Sequence, residues 1–177
     1  NATNVSLSND GNTVSIGSSV VPFTARYLFY QLETENEYLM ISEVEIYDET
    51  GNNIALNKPS IESTTYGSDP ASYANDGIID DLDNHIFSSR SLGERSWWAV
   101  DLGGDQQIFS IKVYGRPRSD FIEGKTFYSR VAPFRIFLYK DADYPESSFI
   151  DGTSGGPGPL NYNDYQLHSD DATYSSI

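Results

Sequence analysis

Hydrophobic and polar positions alternate with a period of two along several stretches of this chain. The clearest is Trp97 to Leu102, with Trp98, Val100 and Leu102 on one face and Trp97, Ala99 and Asp101 on the other. This periodicity in aromatic and branched residues predicts a half-buried β-strand, stopped by Gly103-Gly104. Arg26 to Glu33 (RYLFYQLE) turns Leu28, Tyr30 and Leu32 inward, and Ile108 to Tyr114 puts Phe109, Ile111 and Val113 on one face. Arg130 to Lys140 (RVAPFRIFLYK) does the same with Phe134, Ile136 and Leu138. Ile54 to Ser63 contains Pro59, which confines a strand there to an edge or a very short run. No stretch of any length carries the 3.6-residue period of a helix. The fold class is therefore all-β, and many short strands between turn residues predict a sandwich.

Tyr38 to Tyr47 (YLMISEVEIY) is a further strand whose phase switches. Its apolar positions are Leu39 and Ile41, then Val44 and Ile46. One extra residue restores the inward face, so a β-bulge is expected at Ser42-Glu43, a feature that often re-aims groups beside sites. The alternative is that Ser42 simply faces the core.

Residues 1–19 are polar with a weak alternation and read as a linker or a short peripheral hairpin. Residues 20–145 form the sandwich domain, and residues 146–177 a Gly/Pro-rich extension. That extension either packs on the sandwich or trails as a mobile tail, with YQLH as its one strand-like run.

The chain has 177 residues, enough for one domain with its own core. Cysteine is absent, so disulfides and thiol chemistry are excluded. The formal charge of -15 opposes nucleic acid and anionic membranes, and it favours cations such as calcium. No apolar run is long enough to span a membrane, and no signal peptide is visible. A start at Asn1 reads as a mature form or an excised piece of a larger chain with neighbouring domains. Thirteen tyrosines suit β-sheets and binding surfaces.

Four segments occur in a telling order: NIALNKPSIESTTYG, ASYANDG, WWAVDLG and IFSIKVYGR. Together they resemble the coagulation-factor type C, or discoidin, domain, and within that group the F-type lectins (fucolectins). The likeness covers roughly residues 24–140. It implies an eight-stranded jelly-roll β-sandwich of the galactose-binding-like kind. The strand that usually closes such lectins has its counterpart here in YLMISEVEIYD, which precedes the rest, as in a permuted arrangement.

The loop after Ala71 is crowded with acids, and calcium takes six to eight oxygens from carboxylates and carbonyls at a tight turn. The resemblance implies Asp76 as one calcium carboxylate, with Tyr73 and Ile78 as carbonyl donors and Ser88 as a serine ligand. It implies Glu43 as the second carboxylate, with Ser42 as the carbonyl donor before it. The other reading is a solvated acidic loop, to which Asp80, Asp81 and Asp83 are assigned. A cation here serves to stiffen the loop, since no open position with a general base is indicated.

For carbohydrate, the resemblance implies His85, Arg116 and Arg130, with Arg118 beside them and Tyr66 on the rim. The family's Arg-x-Asp is Arg116-Pro117-Arg118 here, so its supporting aspartate is missing or displaced to Asp120. Each residue also has a plain structural reading: His85 as a hydrogen-bonded surface group, Arg116 and Arg118 as partners of nearby acids, Arg130 as a clamp, Trp97 as packing under a loop. No nucleophile–base pair and no phosphate loop appears, so no enzyme is expected. The expectation is a secreted or surface-exposed, calcium-stabilised module that binds a neutral glycan such as fucose or galactose. The alternative is an adhesion or assembly domain of a surface, viral or phage structure with no sugar site.

Overall fold

In chain order the strands are β1 Thr3–Leu7, β2 Thr13–Ser18, β3 Phe23–Glu35, β4 Met40–Tyr47, β5 Ser60–Glu62, β6 Phe87–Ser88, β7 Arg95–Ile108, β8 Ser110–Gly115, β9 Phe121–Ile122, β10 Lys125–Thr126, β11 Phe134–Tyr139 and β12 Leu167–His168. They belong to a computed structural model that describes residues 3–7, 13–18, 22–80, 82–90, 93–117, 121–122, 125–126, 130–149 and 155–169. One five-stranded sheet runs β1-β2-β8-β4-β6, a second runs β12-β11-β3-β7-β5, and β9 pairs with β10. The pairings are antiparallel, and among the described residues the only helical turns are short 3-10 segments.

The inner faces of the two sheets share one core. Leu28, Tyr30 and Leu32 of β3, Trp98, Val100 and Leu102 of β7, and Phe134, Ile136 and Leu138 of β11 meet Val44 and Ile46 of β4 and Ile111 and Val113 of β8. The alternation along each strand sets this arrangement, because every second side chain points to one side. Removing such side chains from water contributes about 1.5–3 kcal/mol each. Trp98 is fully buried, and its indole N–H donates to the Ala71 carbonyl at 2.9 Å. That bond ties the core to the 3-10 turn Ala71–Asn75, from which the acidic loop leaves.

Two sequence expectations are corrected. The Trp97–Leu102 strand is not half-buried: Trp97 and Ala99 on its outer face are covered as well. The cover is a second cluster in which Tyr144 and Phe149 pack on Tyr27, Phe29, Trp97, Phe137 and Tyr139. The second sheet is thus the middle of three layers, with residues 141–149 and 155–169 supplying the third. Nor does Gly103-Gly104 end β7. The strand detours there, both glycines having positive φ, and pairs with β3 again at Gln106↔Ala25. Of the two readings of the first residues, the hairpin is the one seen: Thr3–Leu7 pairs with Thr13–Ser18, which joins the first sheet through β8.

Candidate metal and ligand site

The β4 bulge lies where the hydrophobic phase places it. Ile41 pairs with Gly115 and Glu43 with Tyr114, so two steps on β4 answer one on β8 and Ser42 is the extra residue. The shift turns Glu43 under the acidic loop, where its side chain is completely buried. Glu43 Oε2 accepts from the Gly77 backbone N–H at 3.1 Å. Its other oxygen, Oε1, has no hydrogen-bond partner. An unsatisfied buried carboxylate oxygen is costly.

Each residue of Asn75-Asp76-Gly77 has a definable task in shaping the turn. Asn75 is buried, and its Nδ2 donates to the carbonyls of Ala55 and Lys58 at 2.8 and 2.9 Å. Asp76 Oδ1 accepts from the Ile78 N–H at 2.8 Å, closing an Asx turn. Gly77 has φ +85°, and a Cβ there would come within 3.0 Å of Leu56 Cδ1. The loop therefore presents Asp76 beside Glu43. Burial first, and the neighbouring Asp76 charge with it, push the Glu43 carboxyl up to about 8.

Glu43, with a buried oxygen lacking a partner, and Asp76, whose charge it feels, are the acids that meet at this turn. Among the described residues no group of three or more His, Asp or Glu side chains is placed to hold a metal ion. A cation here would therefore lean on Glu43, Asp76 and backbone carbonyls, a mixture that suits calcium. The Ser42 hydroxyl is already committed, donating to the Asp80 carbonyl at 3.2 Å. Tyr73 lies in the 3-10 turn, and Ile78 is exposed on the loop that follows. Ser88 sits on β6 opposite Met40, three positions along β4 from Glu43, roughly 10 Å by strand rise.

No family model, curated protein or solved structure matches this chain.

Of the residues assigned to carbohydrate, Arg130 and Tyr66 meet through Tyr38. Arg130 is buried before β11, with its guanidinium 5.1 Å from the Tyr38 ring centre and Nη1 3.8 Å from Glu37 Oε2. Tyr38 meets Tyr66 edge-on at 5.7 Å, and Tyr66 is half exposed. Arg116 is buried just beyond Gly115, the β8 residue that pairs with Ile41. Arg118 lies outside the described residues.

His85 is engaged elsewhere. Its Nδ1 bonds Asp80 Oδ2 at 2.7 Å, and its Nε2 bonds Asn84 Nδ2 at 3.1 Å. With Nδ1–H donating and Nε2 accepting, both ring nitrogens are satisfied. Asp80 is consequently more than a solvated acid. It holds His85, its carbonyl accepts from Ser42, and the His85 bond, followed by the Leu82 N–H, holds its carboxyl below the usual range. Asp81 lies outside the described residues, as does the side chain of Asp83.

Sequence reasoning missed Tyr38, which joins Arg130 to Tyr66, and Glu37, which faces Arg130, and it missed Glu62. The Glu62 side chain is buried, with Oε1 accepting from the Thr65 hydroxyl and Oε2 without a partner. Burial pushes its carboxyl up to about 7. A single glutamate in a polar run carries no signal of that environment; only the fold of the 63–71 loop over it creates the burial.

Proposed function

We propose that the chain is a non-catalytic, calcium-stabilised carbohydrate-binding module with a jelly-roll topology, akin to discoidin and F-type lectin domains. In this reading Glu43 and Asp76, with backbone carbonyls, would hold calcium, which would offset the repulsion between the two carboxylates and stiffen the loop. The rim consists of Arg116, Arg130 and Tyr66, with a neutral glycan as ligand and a secreted or surface-exposed setting. The observation that carries the reading is the buried, partnerless Oε1 of Glu43 beside Asp76. The ordered likeness of the four motifs supports it. A glycan array probed in calcium, next to chelator and an Arg130→Ala variant, tests it: glycan signals that need both the ion and the arginine are expected.

One observation favours an adhesion or assembly domain without a sugar pocket. Both nitrogens of His85 are occupied, while Leu56, Ile78, Ile79 and Leu82 are exposed on or beside the acidic loop. An array blank in calcium, with the calcium-dependent stabilisation intact, selects that reading.

A further inference from the structure

A cleft of about 280 Å³ opens on the outer face of the second sheet, where the third layer does not close completely. Its floor is the cross-strand pair Gln31 and Trp97. Its walls are Glu35, Glu94 and Arg95 on one side and the 157–162 segment, ending in Tyr162, on the other. The size approaches the roughly 300 Å³ at which small-ligand pockets begin.

Three features define what the cleft can hold. First, Gln31 is nine-tenths buried and its Oε1 has no hydrogen-bond partner. A buried amide oxygen left unsatisfied calls for a donor. Second, the aromatic faces are already taken. Arg95 and Arg135 lie 4.3 and 3.8 Å from the Tyr162 ring centre. Trp97 packs on Phe29 and lies under Gly156 and Gly158. The edge of the indole carrying Nε1 meets Gly158 so closely that a Cβ there would come within 2.8 Å of it. The cleft therefore offers no platform for a large apolar group. Third, Arg95 is neutralised by Glu35 at 2.8 Å, and Glu94 adds a further acid. In a chain of formal charge -15 this repels anions.

We infer that this cleft binds one neutral sugar unit, a monosaccharide or the end of a glycan. Amide, carboxylate and guanidinium groups around a small cavity match hydroxyls that donate and accept at once. The site goes beyond the reading above and is separate from the arginine rim, from which the turn at Asn36 divides it.

The chain has two tryptophans, and they make the test internal. The Trp98 indole N–H is locked to Ala71 in the core, whereas Trp97 lines the cleft. Indole ¹⁵N–¹H resonances are followed while D-galactose, L-fucose, D-glucose or N-acetylglucosamine is added to roughly 20 mM, well above a millimolar Kd. A saturable shift of Trp97 but not Trp98, weakened at least about tenfold by Gln31→Ala or, if that variant misfolds, by the exposed-wall variant Glu94→Ala, supports the site. The same shift is expected to survive Arg130→Ala, so failure at the rim and failure here are distinguishable. No movement with any of the four sugars overturns the inference. So does a shift that persists in both cleft variants, or one produced only by a cationic amine such as choline.

Discussion

The Gly77 N–H donates to Glu43 Oε2 across 3.1 Å, fastening the bulge of β4 to a turn formed 34 residues later in the chain. One oxygen of the carboxylate is used and the other is left over. That imbalance makes the pair the natural place to challenge with a cation.

Calcium at about a hundred times its Kd is expected to stabilise the fold by about 2.7 kcal/mol. For a chain of this size that is roughly 5–10 °C in Tm. Differential scanning fluorimetry with calcium and then chelator measures it. Asp76→Ala should abolish the rise and also lower the calcium-free Tm slightly, because the Ile78 cap is lost. Glu43→Gln should abolish the rise while leaving the calcium-free Tm equal or higher, since burial already disfavours the charged carboxylate and the amide removes the cost of ionising it. A Glu43→Gln protein that still responds fully would remove the ion from this site.

Glu62 gives a pH dependence of definite sign. Its folded-state carboxyl, at about 7, lies above the ordinary glutamate value of 4.5 that holds in the unfolded chain. The folded state therefore holds its proton longer. Below the unfolded value Glu62 contributes no difference; its penalty grows as pH rises from there and is complete above the folded value. The full penalty is on the order of 3 kcal/mol. Urea unfolding at pH 5 and pH 8 should show this loss in the wild type and a reduced loss in Glu62→Gln. Equal losses in both proteins would show that Glu62 is not the origin.

Gly158→Ala is expected to loosen the third layer. The position has φ +68°, and the new Cβ would come within 2.8 Å of Trp97 Nε1. Left-handed backbone and displaced packing together cost about 1–3 kcal/mol. Chemical denaturation gives the size, and a change in Trp97 fluorescence in the native baseline localises it.

Tyr144→Ala removes a ring that touches Tyr27, Phe29 and Tyr139 at centroid distances of 5.1 to 5.4 Å. A loss of about 3–5 kcal/mol is expected from the cavity, read as a lower urea midpoint. A loss under about 1 kcal/mol would mean that the outer layer contributes little to stability.

Period-two alternation was enough to find β3, β4, β7, β8 and β11 and to choose their inward faces, because burial on the core side is what the pattern encodes; Phe109 is the exception, lying half-buried between β7 and β8 while Ile108 enters the core. The slip between Ile41 and Val44 located the bulge for the same reason. What the pattern could not show was the second burial of Trp97 and Ala99. Their cover comes from Tyr144 and Phe149, in a segment whose Gly/Pro texture reads as irregular and whose packing depends on distant partners. The Gly103-Gly104 detour was hidden likewise: a glycine pair marks a break in local geometry, yet pairing with β3 resumes beyond it. At the site, the meeting of the Asn75-Asp76-Gly77 turn with the β4 bulge was legible from motif and phase together. The pairing of His85 with Asp80 was not, since nothing in a run of aspartates marks the one that meets the imidazole.

The three-layer build also governs when the chain can fold. Phe29 on β3 needs β7 and β11 alongside and Tyr144 above it before both its faces are dry. Ribosomes deliver about 5–20 residues per second, so that strand waits on the order of ten seconds for its last neighbours. Such long-range pairing also folds slowly once the parts are present. During that interval β3 is a bare apolar ribbon, and a nascent-chain chaperone would find its main foothold there.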